Sequence, residues 1–489
     1  MSSVTAPLNF KPIARFIGIL FILVGILMMT GIPFAWYFAS EDGQALFISG
    51  LITLGLGLPL WYFTPRDDLS LRKREGYLIV ALGWLSMVGV GALPYLISGV
   101  ISNPIDAIFE TVSGLTTTGA SILTDIEAVP AGILYWRSLT QWIGGMGIIV
   151  LTVAIFPLLG IGGIELFVAE APGPTSDKLH PRIQETAKRL WLIYVGLTAL
   201  LTLILSLVGM SFYDAINHAL TTMATGGFST KNASMAHFDV PHIQYIIILF
   251  MFIAGTNYTV IYHSLKGNFK RMRKSEEFIG YFILVVLFTL IITFGLIQVT
   301  NHSLEQAFRE SLFQVVSLMT TTGFVSADYS TWGDAILVLI FIILFLGACA
   351  GSTSGGIKLI RHLVFFKNSI LEFKRIMHPR AIVPLKINGE VVRSKTMTHI
   401  IIFLLLYLAI FMVGSVIVAA MGLDFQTAIG AVATSLGNVG PGIGKVGPVD
   451  NFAWLPASAK LFLSFLMLLG RLELFTILVL FTPYFWKTN

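Results

Sequence analysis

Apolar stretches of about 20 residues or more recur along the whole chain, separated by short polar segments. Each is long enough to cross the roughly 30 Å hydrocarbon core of a bilayer as a helix. The pattern therefore predicts an all-α integral membrane protein with ten candidate spans: 16–39, 45–64, 77–98, 133–159, 190–210, 242–263, 278–299, 335–366, 398–421 and 454–485.

Shorter, moderately apolar segments lie between pairs of spans on the predicted outer side, and they repeat four times. Each leads to a Gly-containing stretch, and in all four cases thirteen residues separate the first aligned position from the last common glycine. A single match would be noise, but four in order form an internal repeat. The aligned pairs are Asp106 with Gly119, Asp214 with Gly227, Glu310 with Gly323, and Thr427 with Gly440.

Each repeat is predicted to consist of a span, a short helix, a Gly-containing loop and a second span. Four such pseudo-symmetric repeats are expected to surround one pore, preceded by two extra transmembrane helices. The predicted division is 1–75 for the two-helix segment, 76–189 for repeat 1, 190–274 for repeat 2, 275–395 for repeat 3 and 396–489 for repeat 4.

Acidic residues open three of the short helices. Asp106, Asp214 and Glu310 suit a helix N-terminus, where a carboxylate caps free N–H groups and favours the helix dipole. We interpret them as caps rather than ion ligands. The fourth repeat has Thr427 at this position, with Asp424 three residues upstream.

Composition supports the membrane assignment. Hydrophobic residues make up 55% of the chain and charged residues 12%, against roughly 25% charged in soluble domains, and the mean hydropathy is +0.83. The net charge of +5 does not indicate nucleic-acid binding, because most basic residues lie in short segments on one predicted side, the cytoplasmic one. The single cysteine, Cys349, excludes an intramolecular disulfide.

The loops have the chemistry of a cation filter. Non-helical backbone at membrane depth is tolerated where it lines a watery cavity, and backbone carbonyls there can replace the hydration shell of potassium. Glycine permits the positive φ that lets successive carbonyls point one way. The predicted filter residues are Thr117, Thr118, Gly119, Thr225, Gly226, Gly227, Thr321, Thr322, Gly323, Asn438, Val439 and Gly440.

Other interpretations remain open at this point. A lone Thr-Thr-Thr-Gly motif would be a capped turn, and a broken-helix secondary transporter would also contain repeats, though usually two halves. An intramembrane aspartyl protease is a weaker alternative, because Asp214 and Asp424 lie at the outer ends of spans and no HExxH or serine-nucleophile motif is present. The sequence favours a transport protein over an enzyme.

The four loops resemble those of the Trk/Ktr/HKT superfamily of cation transporters. The motifs are Thr-Thr-Thr-Gly at 116–119, Ala-Thr-Gly-Gly-Phe-Ser at 224–229, Thr-Thr-Thr-Gly-Phe at 320–324 and Gly-Asn-Val-Gly-Pro-Gly at 437–442. The two leading spans are similar to those of the Trk membrane subunit. The resemblance implies gated potassium uptake, with potassium as cargo and no cofactor, in a bacterial cytoplasmic membrane with the N-terminus inside. Passive flux and sodium- or proton-coupled symport remain open.

Two features inside spans are not explained by the loops. A small-residue run from Gly347 to Lys358 must break its helix, since each interior glycine costs about 1 kcal/mol, and it does not fit a phosphate loop because Ile357 stands where the lysine belongs. Arg471 lies in the middle of the last span, where a charge is costly. From the residues alone, the break is either a helix-packing kink or a functional intramembrane loop, and Arg471 could form a structural interhelical ion pair. The resemblance implies a gate made of Gly347, Gly351, Ser352, Thr353, Gly355, Gly356, Lys358 and Arg471. Arg137 is interpreted as an interfacial snorkelling residue.

The resemblance also implies partners. These are a second copy of the chain, with one pore in each subunit, and a cytosolic nucleotide-binding regulatory subunit, besides the lipid bilayer. The chain itself has no dinucleotide fingerprint. The basic segments 266–274 and 367–380 are the expected docking surface, with anionic lipid as the alternative ligand for such clusters.

Overall fold

The computed structural model describes residues 8–64, 73–155, 183–381 and 383–486, and these are mostly helical. Six helices in these ranges are long and apolar enough to cross a membrane. They are Phe10–Tyr37, Gly43–Tyr62, Arg74–Ile97, Lys188–Leu207, Glu276–Val299 and Ser394–Ala420. The all-α membrane architecture predicted from the hydrophobic pattern is confirmed.

Two further spans are bent. Helices Pro241–Ala254 and Tyr258–Leu265 meet at 107°, and Ala457–Arg471 meets the helical stretch Leu474–Phe481 at 114°. The remaining two of the ten candidate spans differ for separate reasons. Helix Ala131–Ile155 leads into residues that lie outside the described ranges, and the long span predicted at 335–366 is divided into Asp334–Ile343 and Leu359–Met377.

Four short helices precede the four repeated loops, and we number them in chain order. Each begins after a polar residue whose side chain accepts a backbone N–H of the first turn: Asn103, Ser211, Ser303 and Asp424. Such caps satisfy donors that the helix leaves unpaired. Short helices 1 to 4 are Pro104–Leu115, Phe212–Met223, Leu304–Met319 and Phe425–Gly437.

Short helix 3 corrects one prediction. It begins at Leu304, so Glu310 lies in its middle instead of at its N-terminus, and Glu305 occupies the first turn. Glu310 is buried, accepts a hydrogen bond from Gln306 Nε2 at 2.9 Å and lies 3.4 Å from His302 Nδ1. The repeat alignment pairs equivalent positions near the loop, but short helix 3 begins about one turn earlier relative to its loop than short helix 1 does.

The leading two-helix segment is joined to repeat 1 by a buried carboxylate. Asp42 Oδ2 accepts the backbone N–H of Ile133 at 2.7 Å, at the start of helix Ala131–Ile155. The described part of the chain has one sheet, the antiparallel pair Lys386–Ile387 and Glu390–Val391. Residues 65–72 and 156–182 lie outside the described ranges, and the five-part division of the chain stays a prediction.

Candidate ion pathway

The four loops, numbered 1 to 4, share one backbone conformation. Loops 1 to 3, residues 116–119, 224–227 and 320–323, directly follow their short helices, and loop 4, residues 437–440, begins at the last residue of short helix 4. In each loop φ is positive at the second residue and again at the glycine two positions later. The repeats are therefore alike in conformation as well as in sequence. The pairs are Thr117 (55°) with Gly119 (84°), Thr225 (54°) with Gly227 (79°), Thr321 (57°) with Gly323 (77°), and Asn438 (54°) with Gly440 (99°).

Each short helix ends in the same two backbone hydrogen bonds. In loop 1 the N–H of Thr117 donates to the carbonyl of Gly114 at 3.0 Å, and that of Thr118 donates to Ser113 at 2.9 Å. The same pair of bonds closes the other three helices. This is the Schellman arrangement, which usually places glycine at the left-handed position. Threonine or asparagine at that position adds steric strain of about 1–2 kcal/mol.

The four loops contact one another in a closed ring. The glycine of each loop lies against a carbonyl oxygen of the next loop, and a Cβ there would approach that oxygen closer than 3.0 Å. Only glycine leaves room for this contact. The contacts run from Gly119 to Gly226, from Gly227 to Thr322, from Gly323 to Val439 and from Gly440 back to Thr118. We call the carbonyl oxygens of Thr118, Gly226, Thr322 and Val439 the carbonyl ring.

The carbonyl ring offers neutral oxygen ligands of partial negative charge. The C-terminal ends of four helices lead into it, and each carries roughly half a negative elementary charge. Among the described residues, no group of three or more His, Cys, Asp or Glu side chains is placed to hold a metal ion. The site can therefore coordinate a desolvated monovalent cation through backbone oxygens.

Residues 344–358, the broken-helix segment, pack against the loops. The segment folds back on itself, with the N–H of Gly347 donating to Ile357 O at 2.9 Å. Thr225 Oγ1 of loop 2 lies 3.4 Å from Thr353 Oγ1, and the N–H of Gly355 donates to Thr321 Oγ1 of loop 3 at 2.6 Å. Gly355 also lies against Asn438 of loop 4. The segment thus touches three of the four loops.

Several polar groups of the broken-helix segment bond to one another. Ser352 Oγ donates to Cys349 O at 2.6 Å and lies 2.8 Å from Ser354 Oγ. The ammonium of Lys358 donates to the Ser354 carbonyl and lies 3.1 Å from its hydroxyl. Gly351 and Gly356 have positive φ, so the segment turns where only glycine is unstrained.

Arg471 joins the broken-helix segment to two helices. It lies at the end of helix Ala457–Arg471, at the 114° bend, and is 4% exposed. Its Nη1 donates to Thr353 O at 2.8 Å and its Nη2 to Gly144 O at 3.0 Å. No carboxylate of the described residues pairs with Arg471. The neighbouring Glu473 pairs with Arg361 instead. The structure thus brings the predicted gate residues together beside the loops.

Comparison with known proteins identifies the family to which this geometry belongs. The family model TrkH, described as "Cation transport protein", matches residues 42–487. The chain belongs to the TrkH family of cation transport proteins. It is 42% identical to "Trk system potassium uptake protein TrkH" of Salmonella typhimurium, covering 98% of this chain and all of the relative. It is 33% identical to "Trk system potassium uptake protein TrkG" of Escherichia coli over 98% of this chain.

A solved TrkH-family structure has the same fold. The crystal structure of the potassium transporter TrkH from Vibrio parahaemolyticus covers 98% of this chain with a TM-score of 0.89 and 37% sequence identity. The predicted resemblance is confirmed, and the family is one of transporters rather than enzymes. In the structure, the two acids of the protease alternative lie at the starts of different short helices. The Asp214 carboxylate accepts hydrogen bonds from the hydroxyls of Ser211 and Thr230, and the Asp424 carboxylate accepts the backbone N–H of Thr427.

The position of Arg137 differs from the one that the sequence predicted. Arg137 is 2% exposed, so its interpretation as a snorkelling interfacial residue was wrong. Its Nε donates to Glu110 Oε1 at 2.7 Å, and its guanidinium lies 3.5 Å above the ring of Phe228. Glu110 also accepts the N–H of Ile122, just after loop 1, at 2.8 Å. The pair therefore joins the residues that follow loop 1 to those that follow loop 2. Glu110 was visible in the sequence as a second charge inside a short helix, but no motif pairs it with Arg137.

We expect Arg137→Met to lower the free energy of unfolding by about 3–5 kcal/mol, because it leaves the buried Glu110 carboxylate unpaired. Thermal unfolding of the purified protein in detergent measures the effect. Lys445→Met is the matched control, since Lys445 is exposed and lies 3.9 Å from Asp424, and exposed pairs contribute about 0–1 kcal/mol. Equal shifts in unfolding temperature for both variants would contradict the stabilising role of the buried pair.

Proposed function

We propose that the chain takes up potassium across the cytoplasmic membrane through a selective pore whose filter is the carbonyl ring. The observation that carries the proposal is the closed contact of four loops, each presenting one carbonyl beside the glycine of its neighbour. Such rings coordinate desolvated potassium in channel filters. The names of relatives that are 33–42% identical to this chain, all potassium uptake proteins, support the same cargo.

The broken-helix segment and Arg471 form the gate in this proposal. The segment touches loops 2, 3 and 4, and most of its residues are buried. In this proposal it lies across the inner side of the filter. Its glycines permit the backbone rotation that opening requires. The guanidinium of Arg471 adds a positive charge that opposes cation passage while the segment is closed.

Flux through the purified chain in liposomes tests the function. At a defined voltage, potassium and rubidium are expected to move down their gradients faster than sodium, without a coupled ion. Empty liposomes and a Gly227→Ala variant are the controls. Potassium movement that requires a sodium or proton gradient would replace the channel proposal with symport, and equal rates for sodium and potassium would overturn filter selectivity.

A cytosolic nucleotide-binding subunit is the proposed regulator, acting on a homodimer of the chain with its N-termini in the cytoplasm. Its docking surface is the two basic segments 266–274 and 367–380. Helix Phe269–Lys274 carries four of their basic residues and has no buried side chain. The segment 367–380 continues helix Leu359–Met377, whose last turn carries Lys374 and Arg375. Positive surfaces of this kind steer and bind acidic partners.

Neutralising part of this surface is expected to weaken partner binding. The triple variant Lys270→Gln, Arg273→Gln, Lys274→Gln removes three exposed charges, and the retained partner should fall at least about tenfold, which corresponds to 1.4 kcal/mol. Co-purification in lipid-free detergent measures it and excludes the lipid alternative. Lys445→Gln, on the outer side, is the control. Undiminished capture by the triple variant would place the docking surface elsewhere.

A further inference from the structure

Loop 2 departs from the other loops at the ring position, and the structure supplies a partner for that departure. Loops 1 and 3 have threonine there and loop 4 has valine, but loop 2 has Gly226. We infer that Gln141 is a positioning residue of the filter. Its side chain takes the place of the one that Gly226 lacks and fixes the Gly226 carbonyl in the ring. The inference rests on the proposed function, because it assigns a role within that filter.

Gln141 makes two hydrogen bonds to loop 2 and its continuation. It lies on helix Ala131–Ile155 of the neighbouring repeat and is fully buried. Its Nε2 donates to Gly226 O at 2.6 Å, and its Oε1 accepts the N–H of Phe228 at 3.0 Å. The backbone N–H of Phe228 can only donate, so it fixes which end of the amide faces the Gly226 carbonyl.

Gly226 and Gln141 fit together as one unit. A Cβ at position 226 would lie 2.5 Å from Gln141 Oε1 and 2.8 Å from its Nε2, so a side chain at 226 and the Gln141 amide exclude each other. The amide therefore occupies the space that threonine or valine occupies in the other loops. Gly226 lies between Thr225 and Gly227, which both have positive φ, and the conformational freedom of glycine would otherwise leave its carbonyl poorly fixed.

The hydrogen bond acts on an atom of the carbonyl ring. Within the described residues, Gly226 is the ring member whose carbonyl accepts a side-chain hydrogen bond, and no protein group donates to the carbonyls of Thr118, Thr322 or Val439. A carbonyl oxygen has two lone pairs, so Gly226 O can bond Gln141 and still face an ion. Gln141 thereby sets both the position of this oxygen and how strongly it coordinates.

A second side chain of the same helix holds the residues that follow loop 2. Arg137 lies one turn earlier on the same helix face, donates to Ser229 O at 3.1 Å and stacks on Phe228. Arg137 and Gln141 therefore both contact loop 2 or the residues that follow it, at positions 226, 228 and 229. A ring carbonyl held from a rigid helix keeps its geometry when the ion leaves, which selectivity by coordination geometry requires.

A double-mutant cycle tests the inference. The variants are Gln141→Ala, Gly226→Thr and the two combined, reconstituted in liposomes after monodisperse elution. The readout is the potassium-to-sodium permeability ratio at fixed voltage, which a change in folding yield does not move. Each single change is expected to lower the ratio several-fold, one by freeing the carbonyl and the other by steric conflict. The combination gives loop 2 the threonine of loops 1 and 3, with space to hold it, and is expected to recover at least half of the loss.

The outcomes separate this inference from the proposed function. An unchanged ratio in Gln141→Ala, or a combined variant no more selective than Gly226→Thr, overturns the role of Gln141 while the parent still conducts selectively. A parent chain that shows no potassium-selective flux overturns the proposed filter and this inference with it. Recovery in the combined variant supports both.

Discussion

Alanine at Gly323 or Gly227 is expected to abolish potassium selectivity while the chain still folds into the membrane. At these two positions the contact with the next loop's carbonyl is tightest, so an added methyl group must displace Val439 O or Thr322 O from the ring. Loss of 1.4 kcal/mol of discrimination lowers a permeability ratio about tenfold, and a displaced ligand should cost at least that. Potassium and sodium flux in liposomes measure the ratio.

Gly99→Ala controls for backbone strain. Gly99 has φ of 74°, close to the 77° of Gly323, yet no atom lies within 4 Å of its missing Cβ. Both substitutions add the left-handed strain of about 1–2 kcal/mol, but only one meets the carbonyl ring. Gly119→Ser and Gly440→Ser should also lower the potassium-to-sodium permeability ratio. The effect should be smallest at Gly440, because the added Cβ would lie 2.6 Å from Thr118 O, the longest of the four distances. Equal selectivity in Gly99→Ala and Gly323→Ala would contradict the carbonyl ring.

The sequence located the loops because their chemistry is local. A short helix that ends in a left-handed turn, followed by a close contact with a carbonyl, needs glycine at a fixed distance from the start of the repeat. A spacing of thirteen residues to that glycine recurs four times in the sequence. The break in the third repeat was also predictable from local sequence, because the small residues between Gly347 and Lys358 cannot sustain a helix. The assignment of filter and gate roles stays a prediction that the experiments above and below test.

The missed residues act through long-range contacts. Gln141 and Arg137 reach loop 2 from a helix about 85 residues earlier, and no periodicity or motif signals such a pairing. A buried Arg–Glu pair and a snorkelling arginine look alike in a hydropathy pattern, because the pattern counts charges without their partners. The sequence shows that Gly226 departs from the threonine or valine of the other repeats. It does not show that the Gln141 amide occupies the space beside this glycine.

The gate makes the second large prediction, which rests on the unusual state of Arg471. A buried guanidinium usually pairs with a carboxylate, whereas Arg471 bonds only carbonyl oxygens of Thr353 and Gly144, and its Nε has no partner in the described structure. A unit charge 4 Å from an ion opposes it by about 4 kcal/mol at an effective dielectric constant of 20. Arg471 therefore tethers the broken-helix segment through Thr353 O, and in the proposed gate its charge also opposes the passage of cations.

Removing either element is expected to raise basal flux at least about tenfold, which corresponds to lowering the barrier by 1.4 kcal/mol. Arg471→Ala removes the charge and the tether, whereas Arg471→Lys retains the charge without two-pronged hydrogen bonding and should open the pore less. Deletion of residues 350–354 removes the barrier while Arg471 remains. Liposome flux without any partner measures all three, after monodisperse elution shows that they fold. If neither Arg471→Ala nor the deletion conducts faster than the parent, then the segment and Arg471 only support the fold, and the barrier to potassium lies elsewhere along the pore.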